Sequence, residues 1–338
     1  MTTILTEIGW EDENGNLLGM WRNRADLVDE GNEITLAEGV TANSLAGGDT
    51  IIGTSTVTDT FLENNGIFNE GTINTGDGKD IITGNSAGAT GIFNGGTINT
   101  GNGRDIITGT STTISSSFGG SGIVNLSNGT INTGNGKDRI TATNINGFGI
   151  INEGGAIDTG AGNDTFTGTT GREGFSGISN RDNGTINTGA GNDIIIGIGT
   201  SSGEGIFNEG TIKTGDGKDT LVGIATVGIF NQGTIDMGNG NDIVTAKGDR
   251  GFSQGFSEGS VFLGNGKDQL FGFGSGNFFG GNGKDILILP EESYTVGVAE
   301  NVVTFTNSDI TMSTRELEIL KIGDMTYNFA ELKDGIVI

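Results

Sequence analysis

Short apolar runs recur along this chain at constant offsets from glycine and asparagine. In GIFNEGTINTGDGKDIITG (Gly66 to Gly84) they form three clusters, Ile67-Phe68, Ile73 and Ile81-Ile82. The clause returns at Gly205 to Gly223 as GIFNEGTIKTGDGKDTLVG, and looser copies begin at Gly91, Gly122, Gly149, Gly177 and Gly228. A helix cannot carry it, because glycine recurs every few residues and the apolar positions lack a 3.6-residue period. Each copy instead predicts three short strands, here Ile67 to Asn69, Thr72 to Thr75 and Asp80 to Thr83, with glycines at the corners.

Copies follow one another every 23 to 33 residues. Such a period predicts coils stacked on one another rather than one compact core. Length varies only between the third strand and the next copy, from IATV (Ile224 to Val227) to TSTTISSSFGGS (Thr110 to Ser121). A solenoid tolerates insertions confined to one corner. The expected fold is all-β: a right-handed parallel β-helix of nine to ten rungs over residues 31–290, with strands paired about 4.8 Å apart along the axis. Stacking then sorts the residues into columns. Ile73, Ile98, Ile131, Ile157, Ile186, Ile212 and Ile235 should line the interior, and by alternation Thr72, Asn74 and their equivalents should face outward. Asn69, Asn94, Asn125, Asn152, Asn180, Asn208 and Asn231 form another column, read as an amide ladder or as corner residues tolerating positive φ.

Composition narrows the chemistry. Of 338 residues 66 are glycine and one is proline, with no cysteine or histidine, and the net charge is −25. Collagen is excluded because the glycines keep no three-residue period. A disordered chain would lack the regular Ile, Phe, Val and Leu. Ordinary zinc sites and His- or Cys-based catalysis are also excluded. What remains is oxygen: 42 carboxylates, many Asn and Thr side chains, and glycine-exposed carbonyls, which are ligands for a hard cation. The negative charge argues against nucleic acid and anionic lipid as partners, and no apolar run approaches the ~20 residues of a membrane span.

The turn before each third strand ends in an aspartate: TGDGKD (Thr75 to Asp80), TGNGRD (Thr100 to Asp105), TGAGND twice, and GGNGKD (Gly280 to Asp285). Here the chain resembles the RTX (repeats-in-toxin) proteins, whose nonapeptide G-G-x-G-x-D-x-U-x binds calcium. The resemblance implies several calcium ions and a metal-binding role for Asp80, Asp105, Asp138, Asp164, Asp193, Asp219, Asp242, Asp268 and Asp285. Asp49, in AGGDTIIG, reads as a degraded first copy. Two departures stand out. The motif recurs once per wide rung rather than every nine residues, except in LGNGKDQLF and GFGSGNFFG (Leu263 to Gly280), where Asn277 takes the aspartate's place and the solenoid should narrow to a β-roll. The first glycine is mostly Thr, Met or Leu. Independently of the resemblance, carboxylates stacked about 5 Å apart repel by roughly 0.8 kcal/mol per pair even in water. Either calcium neutralises them or Lys79, Arg104, Lys137, Lys218, Lys267 and Lys284 do; Asn163, Asn192 and Asn241 stand at that position in three other rungs.

The ends differ from the middle. Residues 1–30, with Trp10 and Trp21, should cap one end, and they lack the basic start and apolar run of an ordinary secretory signal. Residues 291–338 read as alternating strands, a β cap that covers the last rung's open edge. This tail resembles the RTX C-terminal module, which implies type I secretion and an extracellular or cell-surface location. Three functions follow. The first is a calcium-stabilised structural or surface protein without catalysis, since neither HExxH nor GxSxG occurs, with cell-surface polysaccharide or self-assembly as its partners. The second is an enzyme acting on acidic polysaccharide, a lyase or epimerase, for which Arg172, Glu173, Arg181, Asp182, Asp249 and Arg250 are the loop charges available. The third is ice binding or adhesion through the outward Thr/Asn rows.

Overall fold

A computed structural model describes residues 64–112, 120–253 and 259–338 throughout. Before these it describes residues 41–44 and 47–56 and the backbone of strands Thr3–Leu5, Gly9–Glu11, Leu17–Met20, Asp26–Gly31 and Ile34–Leu36, with Leu36 the one side chain described before Thr41. The expected cap residues Trp10 and Trp21 therefore have side chains outside the described residues.

The strands form three long sheets of 12, 13 and 15 members. Each rung contributes one strand to each sheet, as in Ile67–Asn69, Thr72–Asn74 and Ile81–Ser86. Successive rungs pair parallel and residue for residue: Ile67 with Ile92, Thr72 with Thr97, and Ile81 with Ile106. The parallel β-solenoid expected from the repeat is present, as three sheets that do not close into a barrel. Register is strict because one face of each strand is buried, so a one-residue slip would expose the whole apolar set.

The interior isoleucines from Ile73 to Ile235 are at most 1 % exposed, and each stabilises the fold by roughly 1.5–3 kcal/mol through burial. Thr72 and Asn74 face outward, half-buried. The asparagine column is an amide ladder. Asn69 Nδ2 donates to Asn94 Oδ1 at 2.7 Å, and the pattern continues at 2.8 Å through Asn125, Asn152, Asn180, Asn208 and Asn231. It starts at Asn69 because the preceding rung places Leu36 there, which leaves Asn69 Oδ1 without a partner.

Toward the C-terminus the rung narrows. The first sheet ends at Phe252–Ser253, whose rung continues through Ser260–Gly266 and Gln269–Phe271, and the next rung is built from Gly276–Gly283 and Ile286–Leu289 alone. After Pro290, Thr295–Ala299, Val302–Asn307 and Ile310–Arg315 form an antiparallel meander. Its last strand lies parallel on Gly276–Gly283, and Ile319–Ile322 lies parallel on Ile286–Leu289. Tyr294, Val296, Phe305, Met312 and Leu320 continue the core into this segment. Among the described residues no helix is long and apolar enough to cross a membrane.

Candidate metal centre

The glycine turns join the second and third strands of each rung. At Gly101 the first glycine has φ +83°, a left-handed backbone that side chains strain. The second glycine lies against the neighbouring turn. A Cβ on Gly103 would stand 1.5 Å from the Gly78 carbonyl oxygen and 2.8 Å from Asp105 Oδ1. The glycines thus let turns stack backbone on backbone, and alternation along the third strand turns the aspartate inward with Ile82 and its equivalents.

All nine predicted aspartates, Asp80, Asp105, Asp138, Asp164, Asp193, Asp219, Asp242, Asp268 and Asp285, fall in one column and are at most 1 % exposed. Their carboxylates are joined into a ladder. The backbone N–H of each aspartate donates to Oδ1 of the aspartate in the next rung, at 2.7–2.9 Å, from Asp80 through Asp268. Two residues outside the predicted set complete it. Asp49 donates its N–H to Asp80 Oδ1 at 2.7 Å, and Glu318 Oε2 accepts from the Asp285 N–H at 2.7 Å. Asp49 was visible as a degraded copy, whereas Glu318 sits in no turn motif and has no local signal.

The second carboxylate oxygen is different. Oδ2 of Asp105, Asp138, Asp164, Asp193, Asp219, Asp242, Asp268 and Asp285 is buried without a hydrogen-bond partner. A threonine precedes most turns and points inward beside it. Thr75 Oγ1 donates to Asp80 Oδ2 at 2.8 Å, and Ser44 Oγ does the same for Asp49. From Thr100 to Thr188 the hydroxyl lies 3.3–3.4 Å from the next rung's threonine carbonyl. That is long for an O–H donor, and the hydroxyl also sits close enough to its own carboxylate to lower the pKa. One proton serves two acceptors, so it satisfies one at a time.

Burial dominates the electrostatics. Desolvation pushes Asp105, Asp193 and Asp242 up to about 7, and Asp164 and Asp268 up to about 6. Asp80, Asp138, Asp219 and Asp285 rise for the same reason. The groups that hold these values down are backbone N–H donors and threonine hydroxyls rather than lysines. Lys79, Arg104, Lys137, Lys218, Lys267 and Lys284 are all exposed, where a charged head keeps its hydration.

An oxygen-only donor set with buried, unpartnered carboxylate oxygens suits a hard cation. Among the described residues no three acidic side chains converge on one point, so backbone carbonyls of the turns would have to supply much of the coordination. The loop charges divide between two places. Arg172 stacks on Phe175 at 5.1 Å, and Arg181 lies over Phe148 and Phe207 at 4.9 and 5.1 Å. Asp249 and Arg250 instead line a shallow cleft with Pro290 and Glu292 beside the C-terminal meander. Compared with models of known protein families and with curated proteins, the chain matches none.

Proposed function

We propose that this chain is an exported structural solenoid of the cell surface or extracellular matrix whose rungs are held together by calcium at the glycine turns. The observation that carries the reading is the column of eight buried Oδ2 atoms without partners. Bound calcium would supply the positive charge that lets those carboxylates stay ionised inside the fold. Asp105 through Asp285 would hold it, with the turn carbonyls. The net charge of −25 opposes compaction, so ions that bind only the folded turns favour folding by mass action, by roughly 2.7 kcal/mol per site at a hundredfold excess over Kd. Calcium titration followed by circular dichroism and calorimetry tests this. Folding should rise with calcium, and several ions should bind. Identical spectra and melting temperatures in chelator and in about 10 mM calcium, enough for weak extracellular sites, would refute it. Export through residues 291–338 is tested separately: deleting them should stop secretion by a type I system while the full chain reaches the medium.

One observation favours a second way of neutralising the ladder. Each Oδ1 already accepts a backbone N–H, and burial raises the carboxyl pKa toward neutrality. Protons would then replace calcium, and stability would fall with rising pH whether or not calcium is present.

A further inference from the structure

From Thr50–Ser55 to Ile319–Ile322 the outer face of the second sheet carries no carboxylate, whereas the strand before these, Asp26–Gly31, pairs Asp26 with Thr50 and Glu30 with Thr54. The sheet places three side chains outward on each of the eight strands from Thr50–Ser55 to Ile243–Lys247, and two on each of the next three, thirty in all. Twelve are Thr and twelve are Ile or Val; the others are Asn85, Arg139, Lys247, Gln269, Phe271 and Lys321. The chain has 42 acidic residues in 338, about one in eight, so thirty average positions would carry about four. The outer faces of the other two sheets do carry them, as Glu153, Asp158 and Asp236 show. At the centre of the bare face, Ile194 is 39 % exposed beside Ile196, Ile198, Val222 and Ile224.

We infer that this face packs against the same face of a second copy of the chain. Charge limits where two copies can meet. Each molecule carries a net −25, and from Thr50–Ser55 onward this face lets them approach without setting carboxylate against carboxylate. Its size also fits. Five strands of six residues and three of five, about 17–20 Å long and about 4.8 Å apart, give roughly 700 Å², against about 800 Å² per partner in a standard stable interface. Shape selects the partner. Strands in register place β-branched side chains in straight columns at the rung spacing, and an identical sheet offers ridges of matching spacing that interleave in aligned sheet packing. The face has few aromatic or amide groups with which to grip a sugar chain.

The full-length chain tests this in sedimentation velocity at about 100 µM, in whichever of calcium or chelator circular dichroism shows it folded. Wild type should sediment as a dimer. Ile196→Glu and Thr167→Glu, each at the middle of its strand, should sediment as monomers with unchanged spectra and melting, while Thr130→Glu on the third sheet should remain dimeric. A monomeric wild type, or mid-strand variants that keep the wild-type mass, would overturn the inference. So would a monomer that shapes ice crystals and loses that activity in Thr167→Glu, since the face would then serve ice. Because folding is read separately, failure of the calcium reading leaves a different signature from failure of this one.

Discussion

The turns before Asp219 and those after it solve the same problem differently. From Ser44 to Thr214 a hydroxyl stands inside each turn beside the carboxylate. In the last three turns that position is Met237, Leu263 and Gly280, and no hydroxyl is among the groups that shift Asp242, Asp268 or Asp285. Burial raises these carboxyls first, and neighbouring carboxylates raise them further, Asp285 acting on Asp268 and Glu318 on Asp285, as Asp138 and Asp80 do on Asp105 in the earlier turns. A neutral donor stabilises a buried carboxylate where it stands, whereas a turn without one depends on something from solution. At the last of the three, the turn at Gly280, the rung is also narrower, with the first sheet gone after Phe252–Ser253. The C-terminal turns should therefore respond most to ions and protons.

The largest effect should come from calcium itself. Several sites at about 2.7 kcal/mol each are comparable with a typical domain's whole stability of about 5–15 kcal/mol. Hydrogen exchange should show that protection gained on adding calcium is greater for Ile243–Lys247 and Ile286–Leu289 than for Ile81–Ser86 and Ile106–Ser111. Equal gains at both ends would mean that the hydroxyls do not stand in for the ion.

Next in size is pH. An aspartate whose pKa is raised in the fold binds more protons folded than unfolded, so its stabilising contribution is complete below about 3.8 and is lost as pH rises through the folded value. With Asp105, Asp193 and Asp242 at about 7 and Asp164 and Asp268 at about 6, melting in chelator should fall steadily from about pH 4 to about pH 8. Calcium should flatten that slope, because it favours the ionised form. A slope unaffected by calcium would favour protons as the neutralising agent.

A single substitution sharpens the contrast. Asp268→Asn keeps an oxygen for the Asp242 N–H while removing a buried charge. In chelator near neutral pH it should raise stability by more than about 1 kcal/mol, which is about 1–2 °C for a chain of this size. In calcium the same variant should melt below wild type. Stabilisation in both conditions would show that no ion binds at that turn.

The smallest effects belong to the hydroxyls. Thr188→Val removes one donor at nearly constant shape and should cost about 1 kcal/mol in chelator. Met237→Thr supplies the missing donor beside Asp242 and should reduce the calcium-dependent rise in melting temperature. If both variants match wild type with and without calcium, the hydroxyl column has no part in the ladder.

Much of this architecture was legible in the order of residues, for a physical reason. In parallel stacking each position meets its own equivalent one rung away, so a column such as Asn69 to Asn231 can be read by aligning the copies. Burial followed from alternation once Ile73 was taken as interior. The aspartates were found as a set by the same alignment. Their hydrogen bonding was not, because it joins residues 17 to 33 positions apart through a backbone donor that every residue possesses.

By itself, then, the sequence determined the all-β solenoid, the interior isoleucines, the asparagine column and the positions of the aspartates, since all of these are periodic and periodicity survives without coordinates. Only the tertiary structure decided three other things. It placed the carboxylates inside rather than at the rim, where desolvation rather than mutual repulsion sets their pKa. It brought Glu318 from the C-terminal segment onto the end of the ladder, a contact with no repeat to announce it. And it showed that the third strands from Thr50–Ser55 onward, rather than the outward Thr/Asn rows, form the broad face without carboxylates, because which face of a strand meets solvent is settled by what packs against the other side.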